Sequence, residues 1–218
     1  MELLPDPVEI RAIGALVEKQ VTTPEYYPLT LNALVNACNQ TTNRDPVTSY
    51  DASTVERALE SLRQKGLIWS VRGGRALKYE QRLSEKLALG AREMAVLCVL
   101  MLRGPQTAGE IRGRTGRLHE FASLEEVEPV LHSLMSAEPP LAIKLPRAPG
   151  TKEARFAHLL GGEPPVAGRE PAPPADSSNS EASTDGERIG RLEAEIQALR
   201  LEFDELRRQF DDLKRQFE

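Results

Sequence analysis

Three side chains at helical spacing, Arg57, Ser61 and Gln64, are of the types that read base edges. Arginine pairs with guanine, and glutamine pairs with adenine. Just beyond them, Arg72, Arg75 and Lys78 flank the pair Gly73-Gly74. A glycine turn lets backbone approach a phosphate closely, and flanking cations neutralise it. Arg82 and Lys86 extend the strip. Between residues 57 and 92 there are nine basic and three acidic residues, although the 218-residue chain as a whole carries a formal charge of -5. The balancing acids lie at the other end, where residues 163–218 hold eight basic and fourteen acidic residues. Charge segregated in this way makes the overall sign a poor guide to partners. The carboxylates Glu56 and Glu60 interrupt the basic strip and would repel phosphate. A solvated face or a protein-docking surface is therefore the competing reading of the same residues.

Other chemistries find little support. His119, His132 and His158 fall on three separate segments, without a cysteine pair or a His-Glu-x-x-His spacing. A zinc site needs about four compactly arranged ligands, so no metal or other cofactor is expected. His119-Glu120 reads as a helix-end or interdomain hydrogen-bonding pair. No nucleophile elbow, phosphate-binding glycine loop followed by Lys-Ser/Thr, or dinucleotide fingerprint occurs, and the expectation is a protein that is not an enzyme. Aromatic residues make up only 5% of the chain, which argues against a deep aromatic-lined ligand pocket.

The elements that must position the basic residues follow from periodicity. A first helix runs from about Pro7 to Gln20, with Asp6 as cap and Ile10, Ile13, Leu16 and Val17 on one face. A second carries Leu31, Leu34, Val35 and Cys38, and Asn43-Arg44-Asp45-Pro46 supplies turn chemistry after it. A third begins near Asp51 or Ser53 and sets Val55, Ala58, Leu59 and Leu62 inward, so that Ser53, Arg57, Glu60, Ser61 and Gln64 face outward. It closes at Lys65-Gly66. The period then changes to that of two short strands, Leu67–Val71 and Arg75–Tyr79, around Gly73-Gly74. Three helices followed by a hairpin is the order of a winged helix, a variant of helix-turn-helix. In that architecture the third helix enters the major groove and the wing lies along the backbone.

The pattern then recurs. Met94, Leu97, Leu100 and Met101 repeat the first helix at an offset of 84. Thr107 and Ile111 repeat the second at 77, and Val127, Leu131 and Leu134 the third at 72. Leu141–Leu145 and Arg155–His158 read as the second hairpin. Its third helix bears Glu125, Glu126, Glu128 and a mid-helix Pro129, which suits packing or solubility better than phosphate contact.

The stretches Tyr27-Pro28-Leu29-Thr30-Leu31-Asn32-Ala33-Leu34, Ala37-Cys38-Asn39-Gln40 and Thr42-Asn43-Arg44-Asp45-Pro46-Val47 resemble the YceH-like family of bacterial proteins. So do Leu102–Thr107, Arg117–Phe121 and the segment from Leu145-Pro146-Arg147 to Leu160. The resemblance spans about residues 5–162. It implies two consecutive winged-helix domains, and it carries over no catalytic or binding residue.

Together these readings give a mainly α fold with small β-wings. A first winged-helix domain occupies 1–88 and a second 89–162. A Pro/Ser/acidic linker at 163–185 is too poor in large apolar residues to offset its ordering entropy, and a helix follows at 186–218. In that helix Ile189, Leu192, Ile196, Leu199, Phe203, Leu206, Phe210, Leu213 and Phe217 alternate spacings of three and four, a four-heptad seam. With Ile189 at position a, the pairs Arg188–Glu193, Glu195–Arg200 and Glu202–Arg207 have opposite signs between parallel chains. That register favours a parallel homo-oligomer; phenylalanine at three a positions leaves a trimer or another partner helix open. The start of the chain lacks a basic n-region, and the longest apolar run, Met94–Leu102, is far short of the ~20 residues that span a bilayer. Cys38 and Cys98 sit among apolar helical residues and read as buried thiols. The expectation is a cytoplasmic protein that binds double-stranded DNA and regulates transcription, with an adaptor that docks proteins on the same surfaces as its rival.

Overall fold

Asp6 opens the first helix with a reciprocal cap. Its carboxylate accepts from the Glu9 amide at 2.8 Å, while the Glu9 carboxylate accepts from the Asp6 amide at 2.6 Å. Proline at the first helical position costs no hydrogen bond there, and α1 runs Pro7–Thr22. The computed structural model describes residues 4–73, 76–147 and 153–162. After a short turn at Pro24–Tyr26, β1 (Leu29–Thr30) leads directly into α2 (Leu31–Cys38), capped by the Thr30 hydroxyl. Asp51 caps α3 (Ala52–Gln64), accepting from the Thr54 amide at 2.7 Å. Gly66, at φ +67, then turns the chain into the sheet.

Strands β2 (Ile68–Gly73) and β3 (Ala76–Gln81) pair antiparallel from Ile68↔Gln81 to Gly73↔Ala76. β1 pairs with the other edge of β3, giving the order β1-β3-β2. The short helix α4 (Leu83–Lys86) connects to α5 (Ala91–Arg103), α6 (Ala108–Thr115), α7 (Leu124–Met135) and the two-stranded sheet β4 (Ala142–Lys144) and β5 (Phe156–His158). A single bridge, Gln106↔Phe156, stands where β1 stands in the first half. Helices α5, α6 and α7 begin 84, 77 and 72 residues after α1, α2 and α3, the same offsets that relate their apolar residues. The caps correspond as well: Thr107, with Glu110, opens α6 as Thr30 opens α2. The described residues thus form a mainly helical fold with two small antiparallel sheets.

Two apolar clusters meet at α5. Met94, Leu97, Cys98 and Met101 pack with α1, α2 and α3, whereas Val96 and Leu100 pack with Ile111, Val127, Leu131 and Leu134. This explains the continuous apolar run. A helix covered on two sides needs no polar face, and every residue from Met94 to Leu102 is buried. Gly14 of α1 lets the two helices approach closely: a Cβ there would stand 3.0 Å from Leu102 Cδ2. All the described residues belong to one compact unit. Both cysteines are free and buried. Among the described residues no helix is long and apolar enough to cross a membrane. The 163–185 segment, the seam from Ile189 to Phe217, and Arg75 lie outside the described residues.

Candidate nucleic-acid interface

The basic strip is carried by α3 and the β2–β3 hairpin. Val55, Ala58, Leu59 and Leu62 hold α3 to the core, which turns Ser53, Glu56, Arg57, Glu60 and Gln64 outward, all exposed. Arg57 reaches only the Thr54 hydroxyl, at 3.2 Å. Glu60 at the centre of this face is engaged on both sides. Arg63 donates to it twice, at 2.8 and 3.1 Å, and Gln64 donates at 3.0 Å. Those bonds hold the Glu60 carboxyl below the usual carboxylate range and keep it ionised beside any polyanion.

Ser61 departs from its expected outward position. It is half-buried on the flank of α3, and its hydroxyl helps to stabilise the Glu9 carboxylate. Helical spacing placed it beside Arg57, but that flank turns toward α1 and the N-terminal segment, where Lys65 Nζ donates to the Leu4 carbonyl and to Glu9. Glu9 itself is buried and accepts from Lys65 Nζ at 2.6 Å. Burial pushes its carboxyl up, but the hydrogen bonds from Lys65 and the Asp6 amide, with the nearby Ser61 hydroxyl, outweigh this and leave it lowered.

On the hairpin, cross-strand partners share a face and successive residues alternate. Ser70↔Tyr79 and Arg72↔Leu77 share the inner face with buried Ile68 and Tyr79, the face that packs toward α3. The charges of Glu56 and Glu60 on α3 act on Tyr79, whose hydroxyl is pushed up first by burial and then by those charges. Val71↔Lys78 and Trp69↔Glu80 share the outer face. Arg72 and Lys78 therefore point to opposite sides of the hairpin. The sequence showed no sign of this outer face: Trp69 is 53% exposed, and Arg82 lies over its ring at 5.1 Å while pairing with Glu85 at 2.7 Å.

The charge of the strip is accordingly uneven. Arg63, Lys65 and Arg82 each face a carboxylate. Among the described residues, Arg57, Arg72 and Lys78 have no ion-pair partner within 4.0 Å. In the second half the corresponding helix α7 exposes Glu125, Glu128 and His132. No group of three or more metal-ligating side chains occurs among the described residues. His119 stands edge-on to Phe121 at 4.8 Å, and its Nε2 is buried without a partner.

Residues 5–151 match the family model described as "Protein of unknown function, DUF480". The chain belongs to this family. It is 52% identical over 199 residues to a UPF0502 protein of Opitutus terrae, an alignment covering 88% of this chain and 82% of the relative. It is 48% identical over 200 residues to the UPF0502 protein GSU0233 of Geobacter sulfurreducens, with 91% of each chain covered. A UPF0502 protein of Citrifermentans bemidjiense is 53% identical over 197 residues, covering 90% of each. Such coverage is more than residues 1–162 can supply, so likeness to these relatives reaches past the end of the second hairpin.

Proposed function

We propose that this DUF480 protein is a non-enzymatic, cytoplasmic DNA-binding protein with two tandem winged helices, of which the first holds the duplex. The 186–218 helix would join copies into a parallel homo-oligomer. The sheet order β1-β3-β2 beside a three-helix unit supports the winged-helix reading. One observation carries the choice of ligand. Arg57 on the outward face of α3 and Arg72 on the α3-facing side of the hairpin are both exposed, and neither has a carboxylate partner among the described residues. In this reading Arg57 enters the major groove. Gln64 follows on the same face once it leaves Glu60, and Arg72 and Lys78 meet phosphates on either side of the wing. Ser61 has no part in it. A winged helix with so few unpaired cations binds weakly by itself, and tethered copies raise the effective concentration of the second binding event.

The test is fluorescence anisotropy with a labelled duplex pool and the full chain across a salt series. Each phosphate contact adds about 0.9 to the slope of log K against log salt. Replacing Arg57, Arg72 and Lys78 together by alanine should therefore flatten the slope by about 2 units, from the two phosphate contacts of Arg72 and Lys78. The reading fails if the wild type does not bind duplex at about 50 mM salt, or if the triple variant keeps its slope.

The adaptor reading draws on the exposed Trp69 and Val71 of the outer hairpin face and on the acids of α7. A protein partner retained by the chain, lost on mutating Glu125 and Glu128, with no DNA bound, would favour it.

A further inference from the structure

Two arginines are buried in the first half, and their surroundings differ. Arg44 is satisfied at every nitrogen. Nη1 and Nη2 donate to Glu18 at 3.1 and 2.6 Å, Nε and Nη2 donate to the Ala37 carbonyl, and further bonds reach Asn43 and Gln40. Arg11, only 4% exposed, makes one hydrogen bond, from Nη2 to the Pro46 carbonyl at 2.7 Å. Its Nη1 is buried without a partner in the protein, and no carboxylate among the described residues lies within 4.0 Å of it. Burying an ion costs several kcal/mol unless it is paired, and an arginine cannot escape by losing its proton.

Arg11 forms part of the wall of a cavity of about 420 Å³, with Ile10, Tyr50, Met101, Ala157 and His158. The wall is mostly apolar. A second lining residue also holds a buried atom without a partner: Nδ1 of His158, contributed by the second half of the fold. Burial pushes the His158 imidazole down to about 4, so it is neutral at pH 7 and offers a hydrogen bond without a charge. Asp45 also borders the cavity. Its charge acts on Arg11 without an ion pair and disfavours a doubly charged anion such as phosphate more than a singly charged carboxylate. A planar carboxylate suits the guanidinium fork, and a cavity of this size is in the range of small-ligand sites.

We propose that this cavity binds a small organic carboxylate with an apolar body, its oxygens on Arg11 and His158 and its body against Ile10, Tyr50 and Met101. The site is independent of DNA binding and stands whether or not the hairpin meets a duplex.

The experiment titrates the full chain with hexanoate and with benzoate by calorimetry, beside their neutral analogues hexan-1-ol and benzyl alcohol. At least one carboxylate should saturate one site per chain, and its neutral analogue should bind at least about tenfold more weakly, as expected for loss of a charge-assisted hydrogen bond. Arg11→Met should lose affinity by a similar factor, and His158→Leu by less. The comparison with the alcohols uses only the wild type, so it tests the charge even if Arg11→Met does not fold. Failure of both carboxylates to bind at roughly 10 mM would show that solvent alone satisfies Arg11 and would overturn the proposal. Equal binding of the alcohols, or undiminished binding by a folded Arg11→Met, would overturn it as well.

Discussion

The same substitution, glycine to alanine, should act with opposite sign at two helical positions. In a helix, alanine restricts the unfolded chain and is favoured over glycine by about 0.5–1 kcal/mol. Gly113 on α6 is exposed and has nothing within 4 Å of its would-be Cβ. Gly113→Ala should therefore stabilise by about that amount. At Gly14 the new methyl would stand 3.0 Å from Leu102 Cδ2, 3.2 Å from Leu102 Cγ and 3.2 Å from Met101 Cβ. Carbon contacts are comfortable at roughly 3.5–4.0 Å. The Leu102 side chain could rotate, but the Met101 Cβ is fixed to the α5 backbone. That backbone is held in turn where the Asp45 amide donates to the Leu102 carbonyl at 2.9 Å. Relief requires α1 and α5 to separate, and overpacking of this kind costs about 1–3 kcal/mol. Offset by the helical gain, Gly14→Ala should be destabilising by about 1 kcal/mol, leaving the two variants about 2 kcal/mol apart. For a unit of this size that difference is about 4–8 °C in Tm. Thermal melts by circular dichroism, with urea titrations to check the slope, measure it. If the two variants shift Tm in the same direction by the same amount, the close approach of α1 and α5 at Gly14 is not what limits that position.

The Glu9–Lys65 pair predicts an acid-side loss of stability. The Glu9 carboxyl is lowered in the folded protein, so its contribution is fully present above the unfolded carboxyl range near pH 4.5 and is lost as pH falls through the folded value. Tm should drop over that interval, and Glu9→Gln should remove part of the drop while costing about 1–3 kcal/mol at neutral pH; an identical acid profile in the variant would refute this. Arg44→Met should cost about 3–5 kcal/mol because it leaves the Glu18 carboxylate with only Lys19, 3.7 Å away, as a cation partner, and Glu18→Gln in the Arg44→Met background should recover part of it. A double variant no more stable than the single would show that the carboxylate is not the source of the penalty.

The caps and the spacing made much of the fold legible. Asp6 and Asp51 each mark a helix start within a residue, because a short polar side chain before an apolar period has few other uses. The run Met94–Leu102 was harder, since a helix covered on both sides has no alternation to read. Burial of charge was not legible from local pattern. Arg44 looks like a turn residue because Glu18, which holds it, is 26 positions away, and Lys65 looks like a helix-closing cation because Glu9 is 56 positions away. Ser61 fell on the outward stripe by its spacing, and only the tertiary position of α1 and the N-terminal segment brings that flank under cover. The opposed directions of Arg72 and Lys78 follow from strand register, which a list of cations between two glycines leaves open.

Repetition of one layout with different surfaces bears on what each half can do. The helices start at matched offsets, yet Pro129 and Met135 of α7 stand where α3 carries Arg57 and Arg63, and the exposed face of α7 bears Glu125 and Glu128. If both halves met the same polyanion, the acids of α7 would oppose each contact the first half makes. The halves also share α5, which fills both apolar clusters, so the second half stabilises the frame on which α3 and the hairpin stand. The cavity at Arg11 is lined from both halves: α1 supplies the cation, and β5 of the other half supplies the imidazole. The second half also contributes Met101, Pro105 and Ala157 to the wall around Arg11. The buried and unpaired state of that side chain is therefore a property of the pair of modules.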